Sequence, residues 1–165
     1  MMKRIVSIFL ISMIHIACAS AVYSKGKPDK IIITGGGLAQ PIEITDRETL
    51  IEFAPYIGQF IDWKKGIVAD PPTQEQPFEV YFYMKWKERH SRYDQGDLKM
   101  IYSVRYLPGR DGAPGFVYLP GKDDDRYYNN VGTILREGDD GKWHYASPAW
   151  DALMKRLITA SKPSI

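Results

Sequence analysis

Three kinds of residue in this chain have the side chains or the backbone freedom to do chemistry. They are a glycine run (Gly35, Gly36 and Gly37), two histidines beyond the opening apolar stretch (His90 and His144), and several acidic and aromatic clusters. A glycine run between a strand and a helix cradles phosphate only at the right spacing. A P-loop places four residues between its first glycine and a Gly-Lys-(Ser/Thr) that opens a helix. A dinucleotide fingerprint places Gly-x-Gly-x-x-Gly at the same point. Here the run continues Leu38-Ala39-Gln40-Pro41, with no Lys-Ser/Thr pair, Gln40 where the third glycine belongs, and a proline where the helix would begin. Both motifs fail. The glycines read as a bend between two strands, where positive φ is needed.

Metal and nucleophile chemistry are tested in the same way. His90 and His144 are far apart and lack ligand spacing, so a zinc site would have to be completed by carboxylates alone. Asp123-Asp124-Asp125 and the Glu137 to Gly141 stretch are acidic, but neither has the alternate acids and closing glutamate of a calcium loop. They read as solvated turns. No Gly-x-Ser-x-Gly elbow occurs, and Ser91 beside His90 is a neighbour in sequence only. No cofactor is expected. A pair of carboxylates brought together by the fold stays open as a hydrolytic site, since any two acids can meet in three dimensions.

Aromatic residues stand above the background. Tyr81 and Tyr83 alternate with Phe82 and Met84, while Tyr118, Tyr127 and Tyr128 lie in or beside Gly-rich loops around Arg126. Tyrosine joins an apolar body to a polar tip and suits recognition surfaces. Tyr81, Tyr83, Arg105, Tyr118, Arg126, Tyr127 and His144 are therefore the candidate binding residues. The competing reading is that the rings simply cover the sheet beneath a helix or loop.

The elements that must position these residues follow from periodicity. Ile31-Ile32-Ile33 and Pro41 to Thr45 predict two short strands. Thr45-Asp46-Arg47-Glu48 fits a capping box, with Thr45 as the cap, and Leu50, Ile51, Phe53 and Ala54 give a short helix that Pro55 ends. Phe60, Ile61 and Trp63 form a second apolar cluster packed on the core, and 66–77 is a Pro-rich surface loop. Phe78, Val80, Phe82, Met84 and Trp86 share one face of a strand, and Leu98, Met100, Tyr102, Val104 and Tyr106 share one face of its hairpin partner. Phe116 to Leu119 is a short extended segment. Residues 131–146 read as a hairpin turning at Asp140-Gly141. Ser147-Pro148 caps a final helix, with Trp150, Leu153, Met154, Leu157 and Ile158 as its stripe and an Asp151–Lys155 pair on the outside. The sum is an α+β domain: an antiparallel sheet of five to seven short strands with one N-terminal and one C-terminal helix packed on it. A small β-barrel with a C-terminal helix is the alternative.

The opening segment sets the expected compartment. Lys3 and Arg4 precede an apolar run over 5–17 and the small residues Ala17 to Ala21, the order of a signal peptide. We expect 1–21 to be the signal, cut after Ala19 or Ala21, with a polar leader at 22–30 and one domain at 31–165. An uncleaved anchor and lipidation of Cys18 are the alternatives. The whole chain has 22 Lys+Arg and 20 Asp+Glu. Removing Lys3 and Arg4 leaves 20 of each, and a neutral domain has no electrostatic case for nucleic acid or an anionic membrane. Membrane contact is expected only through the N-terminal segment, if it is kept. Cys18 is the single cysteine, so no intrachain disulfide forms.

Three stretches carry a resemblance. KIIITGGGLAQPIEITD (with Ile31, Ile33, Gly35, Gly37 and Leu38), GAPGFVYLPG (with Gly112, Pro114, Gly115, Phe116 and Val117) and GKWHYASPAWDALMKRLI (with Lys142, Trp143 and Pro148) resemble an uncharacterised family of exported bacterial proteins. That resemblance implies a bacterial source and an extracytoplasmic setting, and brings no activity with it. The expected function is an extracytoplasmic binding or interaction domain with a tyrosine-rich surface and an envelope ligand or protein as partner. The alternative is a small secreted hydrolase with a carboxylate or histidine site. A deep pocket with convergent acids, or His144 beside a buried acid, would favour the hydrolase.

Overall fold

Alternating β-branched and aromatic residues need a surface to bury one face against, and here that surface is built by two helices. The computed structural model describes residues 28–53, 60–69, 71, 75–85, 97–125 and 140–161. In chain order the elements are β1 (Lys30–Gly35), β2 (Ile42–Ile44), α1 (Arg47–Glu52), β3 (Phe78–Lys85), β4 (Leu98–Leu107), β5 (Phe116–Leu119), β6 (Lys142–Tyr145) and α2 (Pro148–Ala160). The strands form one open antiparallel sheet in the order β2-β1-β3-β4-β5-β6. The expected α+β class is thus found, with an open sheet in place of the alternative barrel.

The core lies on one face. Ile31, Ile33, Val80, Phe82, Val104, Tyr106 and Val117 point toward Phe53, Phe60, Trp150 and Met154, all of them nearly or fully buried. Burying each large apolar side chain contributes about 1.5–3 kcal/mol relative to leaving it in water. Aromatic rings make the centre. Phe60 sits 4.7 Å from Trp150 edge-on, and Phe82 stacks 4.2 Å from Tyr102.

The glycine run turns β1 into β2. Gly35, Gly36 and Gly37 have φ of 75°, 58° and 78°, a conformation that costs other residues energy. At Gly36 space matters as well, because an added Cβ would stand 2.3 Å from the Phe78 ring. At Gly37 nothing lies within 4 Å.

Several local expectations are corrected. α1 is capped by Asp46, not Thr45: its carboxylate accepts from the Thr49 N–H at 2.8 Å. A charged acceptor one residue later makes the stronger bond, and that backbone bond holds the Asp46 carboxyl below its ordinary value. In β4 the register against β3 jumps from Tyr102 opposite Phe82 to Met100 opposite Tyr83, which leaves Ile101 unpaired. One extra residue reverses which face the rest of a strand presents. Met100 therefore shares the outward side with Tyr83, and Leu98 is 45 % exposed. Trp63, expected on the core, is 36 % exposed, while Phe60 and Ile61 are buried.

Of the hairpin expected over 131–146, the first limb lies outside the described residues and the second is β6. β6 pairs with β5 on one edge. Its other edge is taken by the 60–68 segment, through Asp62 N–H to Tyr145 O at 2.8 Å and Val68 N–H to Trp143 O at 2.9 Å. In α2, Ser147 caps as expected and Pro148 opens the helix. Asp151, expected outside, turns inward instead. It accepts from Tyr106 Oη at 2.6 Å and Gly115 N–H at 3.1 Å, and keeps Lys155 at 2.8 Å. The signal and leader to residue 27, Trp86, His90, Ser91, Arg126, Tyr127, Tyr128 and the 131–139 run lie outside the described residues.

Candidate functional site

The face of the sheet away from the helices is built by the other half of each alternation. Cross-strand register places Thr34, Glu79, Arg105, Tyr118 and Trp143 in one row across five strands. Ile32, Tyr81 and Ser103 form a second row, and Leu107, Phe116 and Tyr145 a third. Directly opposed side chains on one face interact, and these do. Tyr118 lies 5.3 Å from Trp143, and Phe116 5.6 Å from Tyr145. Lys65 sits over the Tyr145 ring at 5.8 Å. All four rings are half-buried.

Arg105 is the hinge between the aromatic and the polar parts of this face. Its Nε donates to Glu79 Oε1 at 2.9 Å, and its terminal nitrogen reaches Asp124 Oδ1 at 3.2 Å. Its guanidinium lies 5.1 Å from the Tyr118 ring centre, within cation–π range. Partial burial works against the charge, and the carboxylates of Glu79 and Asp124 outweigh it, so Arg105 is held above its ordinary value. Asp124 Oδ2 accepts from Tyr118 Oη and from Gly121 N–H, both at 2.8 Å. Burial, and then the bond to Asp124, push the Tyr118 phenol up to about 12. Tyr118 is thus a neutral donor at ordinary pH. The Asp124 contacts pin the loop after β5 over the β4–β5 surface.

Between that loop and the sheet lies a cleft of about 290 Å³. Glu79, Tyr81, Ser103 and Arg105 form its floor, and Pro120 and Asp123 to Asp125 its wall. Polar atoms dominate it. A second hollow, about 440 Å³, lies between the glycine bend and the end of α2. Leu38, Ile42, Phe78 and Ile158 make it apolar, without the converging polar groups that orient a ligand.

Of the candidates read from the sequence, Tyr81, Arg105 and Tyr118 come together at the cleft. Tyr83 is on the same face but one step past Tyr81, beside the bulge, and does not line the cleft. His144 is separated from the others. It is 1 % exposed, faces the core side opposite Val117, and has the Trp63 ring 6.0 Å away. Its place on the inner face follows from Trp143 and Tyr145 facing outward. Among the described residues the buried polar ones are Ser103 and His144, so no acid is buried beside the histidine. Also among them, no group of three or more His, Cys, Asp or Glu is placed to hold a metal ion.

Sequence reasoning missed Glu79, Asp124, Phe116, Trp143 and Tyr145. For the aromatic three a signal existed. In FVYL and KWHY, putting Val117, Leu119 and His144 inward forces Phe116, Tyr118, Trp143 and Tyr145 outward. Compared with protein-family models, curated proteins and solved structures, the chain finds no match. The site is therefore read from its own geometry.

Proposed function

We propose that this protein is a binding domain whose recognition surface is the outward face of β3 to β6, and that it acts outside the cytoplasm of a bacterium, as the signal-like opening and the family resemblance imply. One observation carries the reading. A cross-strand row that runs from Glu79 through Arg105 and Tyr118 to Trp143 sets half-exposed rings beside hydrogen-bonding groups, next to a polar cleft. Rings offer area at low entropic cost, and neighbouring polar groups fix orientation. The ionic groups at the centre of the row, Arg105 with Glu79 and Asp124, are paired with each other, so the row itself presents stacking area and hydrogen bonds, with Asp123 and Asp125 making the cleft wall acidic.

The test is a screen of glycan and peptide arrays and a pull-down from bacterial envelope extract, repeated with Trp143→Ala and Tyr81→Ala. A retained ligand that both variants weaken, with circular dichroism unchanged, supports the reading. A screen that returns nothing, or a ligand indifferent to both substitutions, removes it.

A hydrolytic reading has one observation in its favour, namely that Glu79 and Asp124 converge in the cleft. Both, however, are taken up by the same guanidinium. A general acid and base pair must instead face a substrate from two sides. Hydrolysis of any array substrate that is lost in Glu79→Gln would revive this reading.

A further inference from the structure

The described residues contain two Asp-Gly pairs, Asp111-Gly112 and Asp140-Gly141, and the fold treats them differently. Asp111 has φ of 49° and Gly112 φ of 80°. Ala113 N–H donates to Arg110 O at 2.8 Å, so the pair occupies the two corners of a turn with positive φ at both central positions, the primed type that takes Asp-Gly. Both residues are exposed, and the space where a Gly112 side chain would stand is open out to 4 Å. Among the described residues, neither the Asp111 carboxylate nor the Gly112 N–H has a hydrogen-bond partner.

Asp140-Gly141 is held. Gly141 N–H donates to Leu119 O at 2.9 Å, at the end of the β5–β6 ladder. Its backbone lies against Gly121, where an added Cβ would stand 2.7 Å from the Gly141 Cα. Asp140 is half-buried.

We propose that Asp111 is a site of spontaneous isoaspartate formation and that the fold protects Asp140 from the same reaction. The Gly112 amide nitrogen attacks Asp111 Cγ. The carboxyl reacts in its protonated form: a C–N bond forms, the C–OH bond breaks, and the hydroxyl leaves with the amide proton as water. The product is a five-membered succinimide. Water then adds to one of its two carbonyls. Opening at Cγ restores aspartate. Opening at the main-chain carbonyl leaves the chain running through Cβ and Cγ, with a free α-carboxylate. No electrons are exchanged, water is the sole co-reactant, and the mass is unchanged. The attack needs an amide that is free of an acceptor and a backbone able to rotate, and glycine puts no side chain in its way. Gly112 has the free amide and an open, exposed position, with the Arg110–Ala113 bond closing its turn, whereas the Leu119 bond occupies the amide of Gly141. An added main-chain methylene cannot keep the Arg110–Ala113 turn. The fold-back that brings Gly109 against Ala113, where an added Cβ would stand 2.0 Å from the Ala113 oxygen, is then released.

The experiment ages the full-length folded protein in neutral buffer, labels isoaspartate with an isoaspartyl methyltransferase and a heavy-methyl donor, and locates the label by electron-transfer fragmentation. Label should accumulate at position 111 several-fold faster than at 140, and that bias should disappear in denaturant. Equal rates at the two positions in the folded protein, or a faster rate at 140, would overturn the proposal. Asp111→Ser should abolish label in its peptide with the circular dichroism unchanged. Label that persists in that peptide would also overturn it.

Discussion

The two faces of this sheet are made by the same six strands and share almost no chemistry. The inner face is a continuous apolar surface: Ile31, Val80, Phe82, Val104 and Val117 are all fully buried against the helices. The outer face is half-buried rings interrupted by an Arg105–Glu79–Asp124 ion cluster. The inner face meets elements of its own chain at close packing, where every methylene removed leaves a gap. The outer face meets water and a pinned loop, where ionic contacts are screened and individually small. The comparison teaches that alternate residues of one strand can be divided between core packing and an outward polar and aromatic surface, and on the proposed reading each should be perturbed with little effect on the other.

The largest expected effect is on the inner face. Phe82→Ala removes a ring that touches Phe53, Phe60 and Tyr102, and should cost about 3–5 kcal/mol. Urea unfolding with an unchanged slope would report it. A loss no greater than that of an outward substitution would break the division between faces.

Gly36→Ala comes next. It meets both positive φ and the Phe78 ring, adding about 1–3 kcal/mol of overpacking to a conformational cost of about 1–2 kcal/mol. Gly37→Ala has the same sign of φ but open space, and should show the conformational part alone. Equal losses in the two variants would mean that the Phe78 contact does not count.

Tyr106→Phe keeps the inner ring and removes its bond to Asp151. It should cost about 1–3 kcal/mol, since the carboxylate keeps Gly115 N–H and Lys155. Thermal unfolding at neutral pH would measure it.

High pH tests one phenol from each face. Burial first, and then Asp151 for Tyr106 or Asp124 for Tyr118, raise both above the ordinary value of 10.0. A raised folded value means the native state keeps its proton after the unfolded chain has lost it. The stabilisation from both is therefore full below pH 10.0 and declines above it, with the Tyr118 part gone once pH passes about 12. Unfolding midpoints should fall from pH 10 upward, and less steeply in Tyr106→Phe. A midpoint that is flat across this range would contradict the bonding described for both rings.

The smallest effect on stability should come from Trp143→Ala, which removes a tilted outward ring contact with Tyr118 worth about 0.5–1.5 kcal/mol. Its consequence should appear in ligand retention instead. A large stability loss would show that this ring belongs to the fold and sharpen where the recognition surface ends.

Much of this is legible in the chain itself. Phe78, Val80 and Phe82 alternate with Glu79 and Tyr81, and a period of two fits only a half-buried strand. Trp150, Leu153, Met154 and Ile158 recur at helical spacing after a Ser-Pro start, and the helix begins where that pair says. The bulge at Ile101 was not legible, because an inserted residue leaves the pattern Leu98, Met100, Tyr102 looking unbroken. Nor were the partners of β6: β5 on one edge and the 60–68 segment on the other are joined to it by register between distant parts of the chain. The candidate site was legible in part. Tyr81, Arg105 and Tyr118 stand out by type and lie at the cleft, whereas His144, of equally suggestive type, faces the inner side of the sheet.

Local order along the chain was therefore enough for the elements themselves, for the inward face of β3 and for the glycine bend, because each depends on neighbours a few residues away. The junction of Glu79, Arg105, Tyr118 and Asp124, the outward row ending at Trp143 and the inward turn of Asp151 depend on register between strands and on helix docking. Those contacts join residues distant in the chain, and no local periodicity encodes which residue of one strand will stand opposite which residue of the next.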